Sequence, residues 1–256
     1  MIRLCRVPRP PLSEFVALLW LFERVAPHAR ERVLPTGSIE LVINLKDEID
    51  RSFDGVIVGP QSRFFMLDTS RPTLVVGAHF RPGGALPFFA LPMHELSDRH
   101  LPLEACWGRQ AAELRERLLE AETGEAKLLL LECALLRLMK RTVSRHAAIG
   151  HAVVAFRQGL RRVGDVVAET GISQRRFIRL FSEEVGLSPK AFCRIRRFQQ
   201  AVSVLHRAEV PKLADIALAC GYFDQPHMIH DFQDFAGMTP TQYLSRRSAL
   251  KNHVPQ

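Results

Sequence analysis

Two stretches near the C-terminus constrain this chain most, because Val163–Pro189 and Leu213–Pro240 repeat one grammar of apolar residues, glycine stops and Ser/Thr-Pro endings. In the first, Val163, Val166 and Val167 lead into Gly171-Ile172-Ser173, and a helix carrying Phe177, Leu180 and Phe181 stops at Gly186 before Ser188-Pro189. In the second, Leu213, Ile216, Ala217 and Leu218 lead into Gly221-Tyr222, and a helix carrying Met228, Ile229, Phe232 and Phe235 stops at Gly237 before Thr239-Pro240. The offset is fifty at the turn (Gly171 to Gly221) and fifty-one beyond it (Gly186 to Gly237), so the second turn holds one extra residue. Apolar residues at helical spacing, cut by glycine and resumed after a capping residue, predict two helix-turn-helix units. A duplicated scaffold without function accounts poorly for the matched turn glycines and the paired Gly-x-Ser/Thr-Pro endings. Two such units on a basic chain point to a protein that lays two recognition helices into double-stranded DNA.

Charge supports that reading. The net charge is +8, with 15 Lys/Arg against 9 Asp/Glu in 150–256 but 20 against 18 in 1–149, so the excess sits mainly on the duplicated part. A basic C-terminal half suits a polyanionic partner. The five cysteines form no C-x-x-C pair and read as reduced, packed thiols. No leader-type or membrane-spanning apolar segment is evident, so a cytoplasmic protein with no membrane partner is expected.

The fold class expected is α+β. Residues 1–84 look β-rich: Ile39–Leu45, Val56–Val58 and Leu74–Phe80 are short apolar or β-branched runs cut by Gly and Pro. A half-closed antiparallel sheet or small barrel is expected there. From Ala85 the period turns helical, with amphipathic helices over Leu103–Leu119 and Ala126–Met139 meeting at Gly124. These bury themselves on the sheet or meet a second copy across a two-fold axis. The expected division is 1–145, a β-rich sensor or regulatory domain ending in a helical segment, and 146–256, an all-α DNA-binding domain of two units joined by a long helix.

A DNA-reading helix must expose its N-terminal end to base edges and be backed by a partner helix. In the first unit Ser173 caps a helix whose Phe177 and Phe181 face inward, leaving Gln174, Arg175, Arg176, Ile178 and Arg179 for the duplex. Arg175 or Arg179 is suited to guanine O6/N7, and Arg176 to phosphate. In the second, Asp224 caps and Pro226 falls in the first turn, leaving Gln225, Pro226, His227 and His230. Asp231 and Asp234 weaken that face, so the first helix is expected to supply most specific readout and the second to supply positioning. Pro189–Leu205 reads as the connecting helix, with Ala191, Ile195, Phe198, Val202 and Leu205 inward and Lys190, Arg194, Arg196 and Arg197 outward.

Ala217-x-x-Cys220-Gly221-Tyr222, Phe232, Phe235, Gly237-x-Thr239-Pro240 and Tyr243 resemble the C-terminal signature of AraC/XylS-type transcription regulators. Gly171-Ile172-Ser173, Arg176, Arg179, Phe181, Gly186, Ser188 and Pro189 resemble its first half. More loosely, Leu34-Pro35-x-Gly37, Glu40-Leu41-Val42, Val58-Gly59-Pro60 and Arg81-Pro82-Gly83-Gly84 look like a sensor-type domain of one bacterial branch. The resemblance implies a seven-helix DNA-binding domain regulating bacterial transcription, with the transcription machinery as partner. By position it places base contacts on Arg175, Ile178, Arg179, Gln225, Pro226, His227 and His230. Asp224, Pro226 and Asp231 depart from the small polar or basic types usual there.

No nucleophile elbow, phosphate loop or metal-spaced cluster is evident, so neither catalysis nor a metal or other cofactor is expected. Glu40, His79 and Arg81 are the polar candidates for a small-molecule effector site in the β-rich part, against the plainer reading that Glu40 and Arg81 face solvent on alternating strands. Homodimerisation is a further expectation left open. Two alternatives stand beside the regulator: an enzyme or small-molecule-binding protein on a cupin-like N-terminal barrel with an accessory helical domain, and an adaptor working through 103–139.

Overall fold

The computed structural model describes residues 2–24, 28–46, 54–139, 145–158, 161–209 and 212–256. The N-terminal part is built on β1 (Ile2–Arg6), β2 (Val16–Arg24), β4 (Glu40–Asn44), β5 (Gly55–Val58), β7 (Thr73–Phe80) and β8 (His100–Pro102), in the spatial order β1-β2-β7-β4-β5-β8. Every pairing is antiparallel, with Leu41 opposite Ile57 on one side and Ala78 on the other. Edges β1 and β8 do not pair with each other, so among the described residues the sheet is open and the cupin-like barrel of the alternative reading is not formed. A second sheet has the order β6-β3-β9, from β6 (Phe65–Asp68), β3 (Arg30–Val33) and β9 (His253–Pro255).

Alternation decides which face of the large sheet is covered. Leu19 and Leu21 on β2, Leu41 and Ile43 on β4, and Val76 and Ala78 on β7 are all buried. Over them lies α3 (Gly124–Leu138), which buries Leu128, Leu131 and Leu135 at spacings of three and four. The choice between sheet and second copy is therefore settled for this stripe: it packs within the chain. The expected helix Leu103–Leu119 is two, α1 (Leu103–Trp107) and α2 (Arg109–Glu120), divided at Gly108, whose φ of +55° no helix continues through. The break lets the Trp107 indole N–H donate to the Phe88 carbonyl at 3.0 Å. Cys5 and Cys133 are exposed, so the expectation of uniformly packed thiols holds only for the others; none is in a disulfide.

The C-terminal part is all helical until its last strand: α4 (Ala147–Gln158), α5 (Val163–Glu169), α6 (Gln174–Val185), α7 (Pro189–Arg207), α8 (Leu213–Ala219), α9 (Gln225–Ala236) and α10 (Pro240–Arg246). Side chains cap several of these helices: Ser173 for α6, Ser188 for α7, Asp224 for α9 and Thr239 for α10 each accept an N–H three residues on. Phe177, Phe181, Phe192, Phe198 and Phe232 are fully buried and stack edge-on or tilted through one core. On α7 the inward residues include Phe192, which the sequence reading missed, while Ala191 is only half-buried. Leu218 is 75% exposed: with Ile216 and Ala217 turned inward, a residue 100° further round cannot follow them.

The two parts are joined by more than the connection before α4. The chain end returns as β9 to pair with β3, Val33 lying opposite His253, and buried Leu34 and Val254 belong to the helical core. Glu184, near the end of α6, accepts the His146 N–H at 3.0 Å. Burial pushes its pKa up to about 7, against the pull of that hydrogen bond and of Arg145. A carboxyl with a raised folded-state pKa favours folding in its protonated form. Its stabilising contribution is therefore full below the ordinary glutamate range and lost as pH climbs through 7. The loss is spread between about pH 4.5 and 7. Denaturant titrations across that range should show Glu184→Gln gaining on the wild type as pH rises; parallel curves would refute the assignment.

Candidate nucleic-acid interface

The first recognition helix, α6, is strongly two-faced. Phe177 and Phe181 are fully buried, whereas Gln174, Arg175, Arg176, Ile178 and Arg179 are exposed, all within its N-terminal half. Among the described residues Arg179 meets only Glu183, one turn on and at 3.8 Å, a contact too long and too wet to hold it. The predicted residues of this helix thus share one open basic surface.

The second recognition helix differs, and its chemistry explains why. Pro226 and His230 are exposed, but Gln225 and His227 are half-buried. The His227 ring stands perpendicular to Tyr222 at 5.2 Å, and its Nε2 lies 3.4 Å from an Arg197 nitrogen. The extra residue in this turn is Phe223, which is 90% exposed immediately before the cap. Asp224 is committed to capping, accepting the His227 N–H at 2.8 Å. Asp231 is 0% exposed, correcting its expected place on the open face. Arg194 donates to its Oδ1 through Nε at 3.2 Å and Nη2 at 2.5 Å, and to Asp234 at 2.9 Å. An Arg197 nitrogen lies 3.5 Å from the other Asp231 oxygen, and its guanidinium covers the buried Tyr222 ring at 4.6 Å. Burial and the Asp231 charge push the Tyr222 phenol up, keeping it neutral. Arg194 and Arg197, expected to point outward, are therefore the bolts between α7 and α9. Asp224 and Asp231, where the sequence departs from the pattern it resembles, are thus both structural: one caps α9 and the other ties it to α7.

Between the two units lies a cleft of about 1440 Å³ with one wall formed by α7. Arg157, Arg161, Arg162 and Lys190 line it together with Arg194, Arg197 and His230. No motif signals this cleft, because its cations come from α4, the segment just before α5, α7 and α9, and only the folded chain gathers them. His230, Asp231 and Asp234 come within 4.8 Å of one another, but the Arg194 guanidinium already occupies the carboxylates a cation would need.

Of the three effector-site candidates, two come together. Glu40 and His79 are opposite each other on β4 and β7, with Oε1 and Nδ1 at 3.1 Å, and His79 borders the cleft. Burial alone would raise Glu40, yet the hydrogen bond and charge of His79 hold its pKa below the usual value. Arg81 turns elsewhere, its Nε donating to the Ser13 carbonyl at 2.8 Å.

Residues 166–246 match a family described as a helix-turn-helix domain, and residues 6–102 match a domain of unknown function, DUF6597. An uncharacterised HTH-type transcriptional regulator of Haemophilus influenzae is 35% identical over 72 residues, covering 28% of this chain. The chain spans about a quarter of that relative's length, 24%. Among solved structures, an AraC-type transcriptional regulator from Chromobacterium violaceum is 23% identical, covering 40% of this chain and 93% of its own, with a TM-score of 0.37. An apo point variant of ToxT from Vibrio cholerae is 12% identical, covering 89% of this chain and 96% of its own, with a TM-score of 0.46. The helical part thus carries a helix-turn-helix domain over residues 166–246, with a DUF6597-like domain over residues 6–102 ahead of it. Among the described residues no helix is long and apolar enough to cross a membrane.

Proposed function

We propose that this protein is a sequence-specific DNA-binding transcription regulator, in which 146–256 reads the duplex and 1–145 modulates that reading. The observation that carries this reading is that α6 and α9, at matching places in the repeat, each bury an aromatic stripe, with Gln174, Arg175, Arg176, Ile178 and Arg179 open on α6 and Pro226 and His230 open on α9. Arg175 and Arg179 read guanines, Ile178 contacts thymine methyls, and Gln174 and Arg176 meet the backbone. On α9, Gln225, Pro226 and His230 face the neighbouring major groove, with His227 half-committed to Tyr222. Arg157, Arg162 and Lys190, exposed along the cleft, follow the phosphates between the two grooves. Glu40 and His79 form the polar edge from which a small-molecule effector acts, and exposed Leu129, Cys133 and Leu136 on α3 offer the surface for self-association.

Salt dependence tests the reading. Phosphate contacts release counterions, so the logarithm of affinity for duplex DNA falls linearly with that of salt concentration, by about 0.9 per phosphate neutralised. Lys190→Ala, at an exposed cleft cation, should reduce that slope by about one at any sequence. Affinity indifferent to salt would remove the proposal's electrostatic basis.

A further inference from the structure

The glycines that stop the two recognition helices do more than end them. Gly186 ends α6 with φ +89° and Gly237 ends α9 with φ +62°, at equivalent places in the repeat. Both carbonyls are taken by side chains of the N-terminal part: Ser97 Oγ donates to Gly186, and Arg32 Nη1 donates to Gly237 at 2.7 Å and to Ala236 at 3.0 Å. Each contact is close. A Cβ at Gly186 would stand 2.7 Å from Pro60 Cγ, and one at Gly237 would stand 2.4 Å from Phe64 Cε1. The Arg32 guanidinium lies over the Phe64 ring at 4.6 Å, and the Phe64 N–H donates to Phe235 at 2.8 Å. Between these two grips, Gln199 of α7 donates to the Pro35 carbonyl at 2.8 Å, and Gly37 approaches Ile195.

Two helix-turn-helix units joined by one helix share a single spine, about which each can rock. A third body touching both far ends and the spine converts that hinge into a triangle. The grips sit at the C-caps, so the N-terminal halves that face DNA stay open. We propose that the N-terminal domain is a brace that fixes the separation and tilt of the two recognition helices, with Ser97 and Arg32 as positioning residues for operator spacing. This rests on the reading of α6 and α9 as DNA-contacting helices. Their separation must match that of successive major grooves, about 34 Å apart, and one base pair inserted between half-elements moves and rotates the second element away from its helix.

The test uses full-length protein and a duplex selected by it from a random pool, with versions carrying one base pair inserted or deleted between the two half-elements, and one carrying the first half-element alone. The wild type should prefer the selected spacing by about tenfold or more, the scale of one lost base contact. Arg32→Ala and Ser97→Ala, separately and together, should reduce that preference to about threefold or less while leaving affinity for the single half-element unchanged, and Arg32→Lys should restore part of it. Thermal melts confirm folding, and Ser97→Ala, which deletes one hydroxyl, keeps the test open should Arg32→Ala unfold. A folded variant that keeps the full spacing preference overturns the brace alone. A wild type with no preference among sequences overturns both the brace and the regulator reading.

Discussion

Asp231→Ala is expected to lower stability by about 3–5 kcal/mol, the usual cost of removing one member of a buried ion pair and leaving the other uncompensated. Asp231 is 0% exposed, and its carboxylate is the only acidic group besides the more exposed Asp234 that the Arg194 guanidinium bonds among the described residues. Removing it also leaves Arg197 over the Tyr222 ring without its anion. Because these contacts tie α9 to α7, the loss falls on the second unit. For a chain of this size the shift in melting temperature is on the order of 10 °C. Asp234→Ala, at the half-exposed partner, should cost about 1 kcal/mol or less. Thermal melts of the two variants decide it: equal shifts would contradict the buried bolt.

The second large effect concerns DNA. On the proposed function, Arg175→Ala/Arg179→Ala loses specific affinity by about 2–6 kcal/mol, since each arginine forked onto a guanine discriminates by about 1–3 kcal/mol. Among the described residues neither side chain is tied into the fold: both are exposed, and Arg179 touches only Glu183 at 3.8 Å. The melting temperature should therefore stay within about 2 °C of the wild type. His230→Ala, on a helix whose Gln225 and His227 are half-buried, should lose less than Arg179→Ala. Binding titrations against a selected duplex and a scrambled one check this, and a loss at His230 equal to or larger than that at Arg179 would invert the assigned roles.

The duplicated units were legible because their physics is local. Phe177 and Phe181, or Phe232 and Phe235, recur at helical spacing, and Ser173, Asp224, Gly186 and Gly237 start and stop helices through chemistry within a few residues. The β-rich start was legible as runs such as Leu74–Phe80, but the order β1-β2-β7-β4-β5-β8 was not, because register depends on partners distant in the chain. Asp231 reads on paper as a charge in the wrong place; its role needs two arginines from α7, almost forty residues earlier, to become visible. Likewise β9 is three residues whose meaning lies wholly in β3, more than 200 positions away. Long-range pairings of charge and strand are where reading a single sequence ends: one bolts α9 to α7, and the other joins the helical part to the β-rich part.

The central claim is that two helices of one rigid chain enter neighbouring major grooves. Hydroxyl-radical footprinting of the full-length protein on a selected duplex tests it most directly. The account predicts two protected segments on one face of the DNA, centred about one helical turn apart, with the clearer sequence preference under the α6 element. Protection confined to a single groove, or a uniform pattern with no sequence preference, would contradict it.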